Sequence, residues 1–396
     1  MKILMLTPYL PFPIMSGGQI RTYNLLKKLA TKHQITLVSL IKEDYERQYI
    51  PELLKYCQRV EVFKRSRKPF TLVNALKTAI SSYPFLVIRN HSAAAEHAIK
   101  QMLNDEDFDL IHAETFYTVP HLPKATVPTL LVEQTIEYLG YESYAAKTPA
   151  LIRPLLKIDI AKIKHWEHRY WNSCSKLVVM SQDDQRLVSK TVPKSKVDVV
   201  SNGVDVKWFQ DKNKNLPTEP TILSVGTFNW LPNVEATKFL IEKVWPIIKS
   251  KLPQARLWIV GNNPSPEIIS FDTKDPQITI TGGIPDIRDA FNEAHLLMAP
   301  VFSGKGTRYK ILEAMASKTP IVATPTAVEG LGVEEGKHVL TSQSAEGLAE
   351  QALKVLSDSK LQKNMTESGF KFVSDNFDWQ QIAAKLDSIY QELGSE

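Results

Sequence analysis

The sequence contains a glycine-rich segment that combines several groups able to bind an anion. Segment 302–308, FSGKGTR, follows the apolar run LLMAPV and precedes the helical pattern YKILEAMAS. Gly304 and Gly306 would let the backbone approach a ligand closely, and Thr307 is a suitable N-cap. The free amides and the dipole of a helix N-terminus favour a negative charge, so the segment predicts an anion site.

Three cations, Lys305, Arg308 and Lys310, crowd the same helix start. Cations oppose the helix dipole there, and a bound anion such as a diphosphate would remove that conflict. Glu313 lies one turn beyond Lys310 and could reach the vicinal hydroxyls of a ribose. On these residues alone, a glycine turn with solvated cations and a Lys310–Glu313 surface pair remains an equal alternative.

The elements that must position this loop follow an α/β pattern. Near-continuous Val, Ile and Leu runs such as KILMLT, QITLVSL, TILSVG and LLMAPV alternate with helical segments, which is typical of parallel sheets covered on both faces. Segment 205–220 is polar and lacks periodicity, and the alternation restarts after it. We therefore expect two doubly wound domains, residues 1–205 and 206–376, and a terminal amphipathic helix at 377–396.

Composition limits the class of protein further. The chain has 396 residues and two cysteines, Cys57 and Cys174, which excludes a disulfide scaffold and favours a cytoplasmic setting. The N-terminus favours a buried strand over a signal peptide, and no apolar run is long enough to span a bilayer. The net charge of +5 conceals an asymmetry: residues 1–200 carry 28 Lys and Arg against 19 Asp and Glu, and residues 201–396 carry 20 against 24.

The string GTRYKILEAMASKTPIVATPTAVEGL resembles the donor-binding signature of the family 4 glycosyltransferases, particularly the bacterial polysaccharide type. PFPIMSGGQIRTYNLLKKLA, LIHAE, LVEQTIEY, SNGVD and FDWQQIAAKLDSIYQEL resemble other parts of that family, so the resemblance covers nearly the whole chain. It implies a GT-B fold, in which two Rossmann-like domains face each other across a cleft. The first domain would bind the acceptor, the second would bind a nucleotide sugar, and the terminal helix would return to the first.

The resemblance implies a retaining, metal-independent transfer of a sugar from a nucleotide diphosphate sugar to a hydroxyl. UDP- or GDP-sugar would be the co-substrate, with no permanently bound cofactor. The acceptor would be a glycan or a lipid-linked molecule in cell-surface polysaccharide or glycolipid synthesis. The alternatives are a catalytically silent nucleotide-sugar-binding subunit and another GT-B enzyme such as a nucleotide-sugar epimerase.

On the donor side, Glu313 matches the family's ribose-binding glutamate. The family's sugar-contacting glutamate is replaced by Lys305, and the usual cations after the first strand of the second domain are missing from GTFNWLPN. We therefore expect Lys305, Arg308 or Lys310 to take the charge role, with the Gly306 and Thr307 amides. Further donor contacts implied by the resemblance are Gly17, Gly18, Asn202, Gly283, Ile284 and Glu329.

Glu114 ends the strand LIHAE and stands where many family members have a histidine against the transferred sugar. It is the candidate catalytic carboxylate of the first domain, with a structural carboxylate as the alternative. His112 is interpreted as a packed neighbour rather than a base. Gln134 and Glu137 occupy the place of the family's HNVE, which makes Glu137 a candidate for an acceptor-side or hinge contact, with a structural role as an equal alternative.

A basic stretch, Lys64, Arg65, Arg67 and Lys68, precedes an apolar helical face in the first domain. It predicts either peripheral contact with an anionic membrane or acceptor, or an ordinary surface helix. Nucleic acid is not expected, since no recognisable motif accompanies the charges. No metal is expected either, because the histidines lack ligand spacing and Asp105 and Asp107 precede a strand rather than end one.

Overall fold

The computed structural model describes residues 1–68, 70–124, 127–146, 148–303 and 309–395. The chain divides into two compact units. The first contains Met1–Asn202 and Ile382–Glu396, and the second contains Gly203–Gln381.

The first unit is built on a seven-stranded sheet in the order β3-β2-β1-β4-β5-β6-β7, and every neighbouring pair is parallel. The strands are β1 (Lys2–Thr7), β2 (Gln34–Ile41), β3 (Arg59–Lys64), β4 (Leu110–Glu114), β5 (Thr129–Glu133), β6 (Lys176–Val179) and β7 (Val197–Val199). The order of strands reverses between β1 and β4. Ligands of such sheets bind beyond the carboxyl ends of the strands at this switch point.

The α-helices described between its strands are α1 (Gly17–Leu29), α2 (Ile50–Leu53), α3 (Leu72–Ile80), α4 (Phe85–Asn90), α5 (Ala93–Asp105), α6 (Glu137–Ala146), α7 (Arg153–Ser173) and α8 (Gln182–Val188). Short 3-10 helices span Asp44–Tyr49, Phe116–His121 and Lys194–Lys196. Helix α1 begins beyond the end of β1, where the Ser16 side chain accepts a hydrogen bond from the Gln19 amide at 3.4 Å.

The second unit has a six-stranded parallel sheet in the order β10-β9-β8-β11-β12-β13. Its strands are β8 (Thr221–Val225), β9 (Arg256–Val260), β10 (Ile278–Thr281), β11 (Leu296–Ala299), β12 (Ile321–Ala323) and β13 (Leu340–Thr341). The switch point lies between β8 and β11. Apolar residues of β8, β9, β11 and β12 form two cores, one on each face of the sheet, as near-continuous apolar strands require.

The helices of this unit are α9 (Val206–Gln210), α10 (Leu231–Phe239), α11 (Trp245–Lys251), α12 (Pro266–Lys274), α13 (Ile287–Asn292), α14 (Tyr309–Ala316), α15 (Pro325–Val328), α16 (Ala345–Ser357) and α17 (Ser359–Phe377). A π-helical turn, Leu240–Val244, joins α10 to α11. The segment expected to be irregular contains α9, because Asp205 caps that short helix by accepting from the Trp208 amide at 3.0 Å.

The last helix, α18 (Trp379–Gly394), begins in the second unit and continues into the first. Its predicted apolar face is buried throughout, from Trp379 at 1% exposure to Leu386 at 0% and Leu393 at 2%. The expected α/β architecture of two doubly wound parallel sheets is therefore confirmed. Among the helices within the described ranges, none is long and apolar enough to cross a membrane.

Candidate active site

In the first unit, a buried polar chain lies at the switch point between β1 and β4. Glu114 is the last residue of β4 and is 0% exposed. Nε2 of His112 lies 3.1 Å from one carboxylate oxygen of Glu114, and Gln134 Nε2 donates to the other at 2.7 Å. The Tyr9 hydroxyl, beyond the end of β1, donates to Gln134 Oε1 at 2.8 Å. Both Glu114 oxygens are therefore held by protein donors. Gln134 and Tyr9 are the half-buried members of this row of hydrogen-bonded side chains.

Burial raises the pKa of Glu114, but the hydrogen bond and charge of His112, together with Arg21 and Gln134, outweigh it and leave the pKa below its usual range. An ionised Glu114 accepts only, so His112 Nε2 carries the hydrogen. His112 Nδ1 lies 2.5 Å from the hydroxyl oxygen of Tyr390 in α18 and shares a hydrogen bond with it. The network thus holds the imidazole and the Glu114 carboxylate in fixed orientations.

Two local features constrain this edge of the sheet. Thr115, directly after Glu114, has a φ of 68°, a left-handed conformation that strains a β-branched residue. Its amide donates to Val132 O at 2.7 Å, which helps to hold that conformation. Gly18 approaches the network so closely that a Cβ there would lie 1.8 Å from the Tyr9 hydroxyl oxygen. Gly17 and Gly18 begin α1, so the predicted loop lies at this switch point.

Asn202, predicted on the donor side, ends the first unit. Arg21 of α1, which is 0% exposed, donates through Nη1 to Asn202 Oδ1 at 3.3 Å and to the Ser201 carbonyl at 2.7 Å. These bonds join the predicted SNGVD segment to α1.

In the second unit, the predicted phosphate loop follows β11 at the other switch point. Residues 304–308, which include the candidates Lys305, Gly306, Thr307 and Arg308, lie outside the described residues. Helix α14 presents Lys310, whose Nζ donates to Asn233 Oδ1 at 3.1 Å. Asn233 belongs to α10, which follows β8, so this bond bridges the two strands that flank the switch point.

Glu313 lies one turn beyond Lys310 and is half-buried. None of the described residues donates a hydrogen bond to its carboxyl group. Burial raises the pKa of Glu313 to about 7, and Lys310 opposes that rise. A half-buried carboxyl at this position is free to bind the hydroxyls of a ligand.

Gly283 and Ile284 follow β10 at the same edge of the sheet. A Cβ on Gly283 would lie 1.8 Å from Asn262 Oδ1, whereas one on Gly282 would meet nothing within 4 Å. Asn262 follows β9, and its carbonyl accepts from the Phe228 amide at 3.0 Å. Glu329 is exposed at the end of α15, after β12. All of these donor-side candidates therefore follow the carboxyl ends of strands.

The acceptor-side candidates separate into surface and interior groups. Lys64 pairs with Asp44 at 2.5 Å, and Arg67 pairs with Glu43, both at the surface. Lys68 is exposed, whereas Arg65 is half-buried beside Asn90. Glu137 starts α6 and is also half-buried, and burial raises its pKa to about 7.

Four polar residues of these sites are not predicted from the sequence patterns. They are Tyr9, Tyr390, Asn233 and Asn262. Asn233 and Asn262 had a usable signal, since each is a polar residue following an apolar strand. Within the described ranges, no group of three or more His, Cys, Asp or Glu side chains is arranged to hold a metal ion.

Comparison with solved structures supports the architecture. The structure of HepE from Anabaena in complex with UDP and glucose matches with a TM-score of 0.69 at 15% identity, covering 99% of both chains. WaaG, a glycosyltransferase involved in lipopolysaccharide biosynthesis, matches with a TM-score of 0.66 at 17% identity, covering 98% of this chain and 99% of that one. The fold is the GT-B fold of glycosyltransferases.

Family models match both units: Glycosyltransferase Family 4 over residues 15–208 and Glycosyl transferases group 1 over residues 219–358. The chain belongs to the family 4, group 1 glycosyltransferases. A full-length relative is an uncharacterized 44.6 kDa protein in the cps region of Klebsiella pneumoniae, 20% identical over 99% of both chains. The lipopolysaccharide core biosynthesis mannosyltransferase LpsB of Rhizobium meliloti is 23% identical over 61% of this chain and 74% of its own.

Proposed function

We propose that this glycosyltransferase moves a sugar, with retention of configuration and without a metal, from a nucleotide diphosphate sugar to a hydroxyl of a cell-surface glycan or glycolipid. The observation that carries the donor part is the Glu313 carboxyl, which lies one turn from Lys310 at the switch point of the second unit and accepts no hydrogen bond from the described residues. It would bind the ribose hydroxyls, and the nearby cations would bind the diphosphate.

UDP is the first nucleotide to test, since the Anabaena relative was solved with UDP. A thermal-shift panel of UDP, GDP, dTDP and ADP and their sugars would identify the donor, because a ligand that binds only the folded state raises the melting temperature. A panel without any shift would contradict the proposal. Release of nucleotide from the selected donor would separate an active enzyme from a silent binding subunit.

Lys305 and Arg308 are proposed to stabilise the charge that develops on the leaving diphosphate, with the Gly306 and Thr307 amides. Arg308→Ala should weaken binding of the nucleoside diphosphate by about 1.5 kcal/mol or more, the low end for a charged hydrogen bond. Arg256→Ala is a matched control, because Arg256 is exposed at the opposite end of β9. Unchanged affinity of the Arg308 variant for the nucleoside diphosphate would contradict this assignment.

Glu114 is proposed to act on the transferred sugar as a buried charge that also orients Gln134, rather than by direct contact. An oxocarbenium-like centre would be stabilised by that charge. Glu114→Gln should therefore lower kcat far more than it raises KM for the donor. Retention and metal independence have separate tests: the anomer of the first product by NMR, and activity after EDTA treatment. An inverted product, or activity restored only by Mn²⁺, would contradict them.

The first unit is also proposed to rest on an anionic membrane. Helix α3, the start of α7 and the turn before α7 expose large apolar side chains, including Leu72 at 84%, Leu76 at 65%, Ile80 at 87%, Leu151 at 92% and Leu155 at 70%. Lys162 of α7 donates to the carbonyls of Thr78 and Ser81 at 2.6 and 2.7 Å, so the two helices are neighbours.

Exposed cations accompany this apolar surface, among them Lys68, Lys77 and Lys157. Apolar side chains flanked by cations complement an anionic lipid surface. At low salt, the protein should co-sediment with anionic vesicles. The double variant Leu72→Ser, Leu155→Ser should lose most of that binding. Leu54→Ser is the control, since Leu54 is 49% exposed elsewhere in the unit. Absence of vesicle binding by the unsubstituted protein would remove this part of the proposal.

A further inference from the structure

Arg65 differs from the other cations of the basic stretch in its surroundings. Lys64 and Arg67 each pair with an acidic side chain at the surface. Arg65 is half-buried, and its Nη1 donates to the neutral side-chain oxygen of Asn90. Among the described residues, no carboxylate lies within ion-pair distance of Arg65. Burial lowers the pKa of its guanidinium, which shows the cost of this charge in its present position.

A second arginine, Arg89, lies in α4 directly before Asn90, the hydrogen-bond partner of Arg65. The Arg89 carbonyl accepts from the Ser66 amide at 3.3 Å, which ties α4 to the residue after Arg65. The side chain of Arg89 lies over the Phe85 ring, with the guanidinium carbon 5.9 Å from the ring centre. The described part of the chain provides no ion pair for it, and Nε of both arginines is buried without a hydrogen-bond partner.

The two arginines repel each other, since the charge of Arg89 contributes to lowering the pKa of Arg65. The charge of Glu46 offsets part of the effect on Arg65, and Glu137 and Asp159 interact with Arg89, but no described carboxylate pairs directly with either guanidinium. An anion bound beside two half-buried cations of this kind would stabilise them. Their surroundings also contain Tyr117, which follows β4, and the half-buried Glu137 carboxyl, which follows β5. The cluster therefore lies among the loops at the carboxyl edge of the first sheet.

We propose that Arg65 and Arg89 form an anion subsite in the first unit, which binds a phosphate or carboxylate group of the acceptor. The proposal rests on the proposed function, since it assigns part of the acceptor. Guanidinium groups suit this task because their fixed N–H fork matches the paired oxygens of both anions. The acceptor would thus carry an acidic group close to the hydroxyl that receives the sugar.

Calorimetric titration of the full-length protein tests the subsite with two probes, inorganic pyrophosphate and glucuronate. The nucleotide selected by the thermal-shift panel is added first at saturation, so that the donor site is occupied. Binding of this nucleotide tests the proposed function, and binding of the probes tests the subsite. We expect at least one probe to bind, and Arg65→Gln and Arg89→Gln each to weaken that binding about tenfold or more. Pyrophosphate binding would indicate a phosphorylated or lipid diphosphate acceptor, and glucuronate binding an acidic sugar.

Arg59→Gln is the matched control, because Arg59 lies at the opposite end of β3 and pairs with Glu61 and Glu106 at the surface. It should bind the probes like the unsubstituted protein. Arg65→Lys keeps the charge without the fork and should bind the probes with intermediate affinity. This variant keeps the test valid if the Gln variant does not fold. The inference is overturned if the nucleotide binds but neither probe does, or if the Arg65 and Arg89 variants bind the probes as well as the Arg59 variant.

Discussion

Nε2 of His112 and a carboxylate oxygen of Glu114 lie 3.1 Å apart on one face of strand β4, two residues from each other in the chain. Nδ1 of the same imidazole is hydrogen-bonded to the hydroxyl of Tyr390, 278 residues away in α18. The orientation of the only ionised carboxylate in this network therefore depends on a residue near the C-terminus.

Removing the Tyr390 hydroxyl should weaken the first unit. Tyr390→Phe leaves the buried Nδ1 of His112 without its hydrogen-bond partner, which costs about 1–3 kcal/mol. Urea unfolding should show that loss in the free energy of unfolding. Tyr45→Phe serves as the control, because Tyr45 is 65% exposed. Equal stability of both variants would contradict the role of Tyr390.

Gly18→Ala should disturb the same network from the other side. The added Cβ would lie 1.8 Å from the Tyr9 hydroxyl and 2.4 Å from Gln134 Oε1, so the bond between these two side chains must break or shift. Overpacking of this kind costs about 1–3 kcal/mol, and the transfer rate should fall with it. Gly140→Ala in α6 meets nothing within 4 Å and should stabilise the protein by about 0.5–1 kcal/mol. A Gly18 variant with unchanged melting temperature and activity would disprove the close approach.

Two adjacent glycines provide a test of the donor side. Gly283→Ala would bring a Cβ to 1.8 Å from Asn262 Oδ1, whereas Gly282→Ala meets nothing within 4 Å. The first change forces the Asn262 side chain to move and should weaken nucleotide binding, whereas the second should leave binding unchanged. Calorimetric titration with the selected nucleotide measures both. Equal affinities for the two variants would remove Gly283 from the nucleotide contacts.

Donor binding should depend on pH through Glu313. Its pKa of about 7 lies above the usual value, so the group is largely protonated at pH 6 and largely ionised at pH 8. If the carboxylate form binds the ribose, affinity should rise about tenfold over this interval. A nucleotide sugar is the appropriate ligand, because its diphosphate carries no terminal phosphate that titrates near pH 6. Glu313→Gln should remove the dependence, and an unchanged slope would show that another group titrates.

Local patterns were sufficient to predict the strands and the buried face of α18, because both follow from apolar spacing along one segment. They also placed Glu313 one helical turn from Lys310. The bonds of His112 to Tyr390 and of Lys310 to Asn233 join segments 278 and 77 residues apart, and nothing in either segment specifies its partner. Arg89 had a weak signal, as the single charge in the apolar helix FLVIRN, but its proximity to Arg65 depends on the fold.

The path of the chain through α18 has a consequence for biosynthesis. Ile382–Glu396 completes the first unit, although Met1–Asn202 leaves the ribosome long before it. The second unit, Gly203–Gln381, is continuous and can fold as soon as it emerges. The first unit cannot complete its core until Leu386, Ile389 and Tyr390 have been synthesised. A nascent chain that stalls before Ile382 would therefore contain a complete second unit and an incomplete first unit.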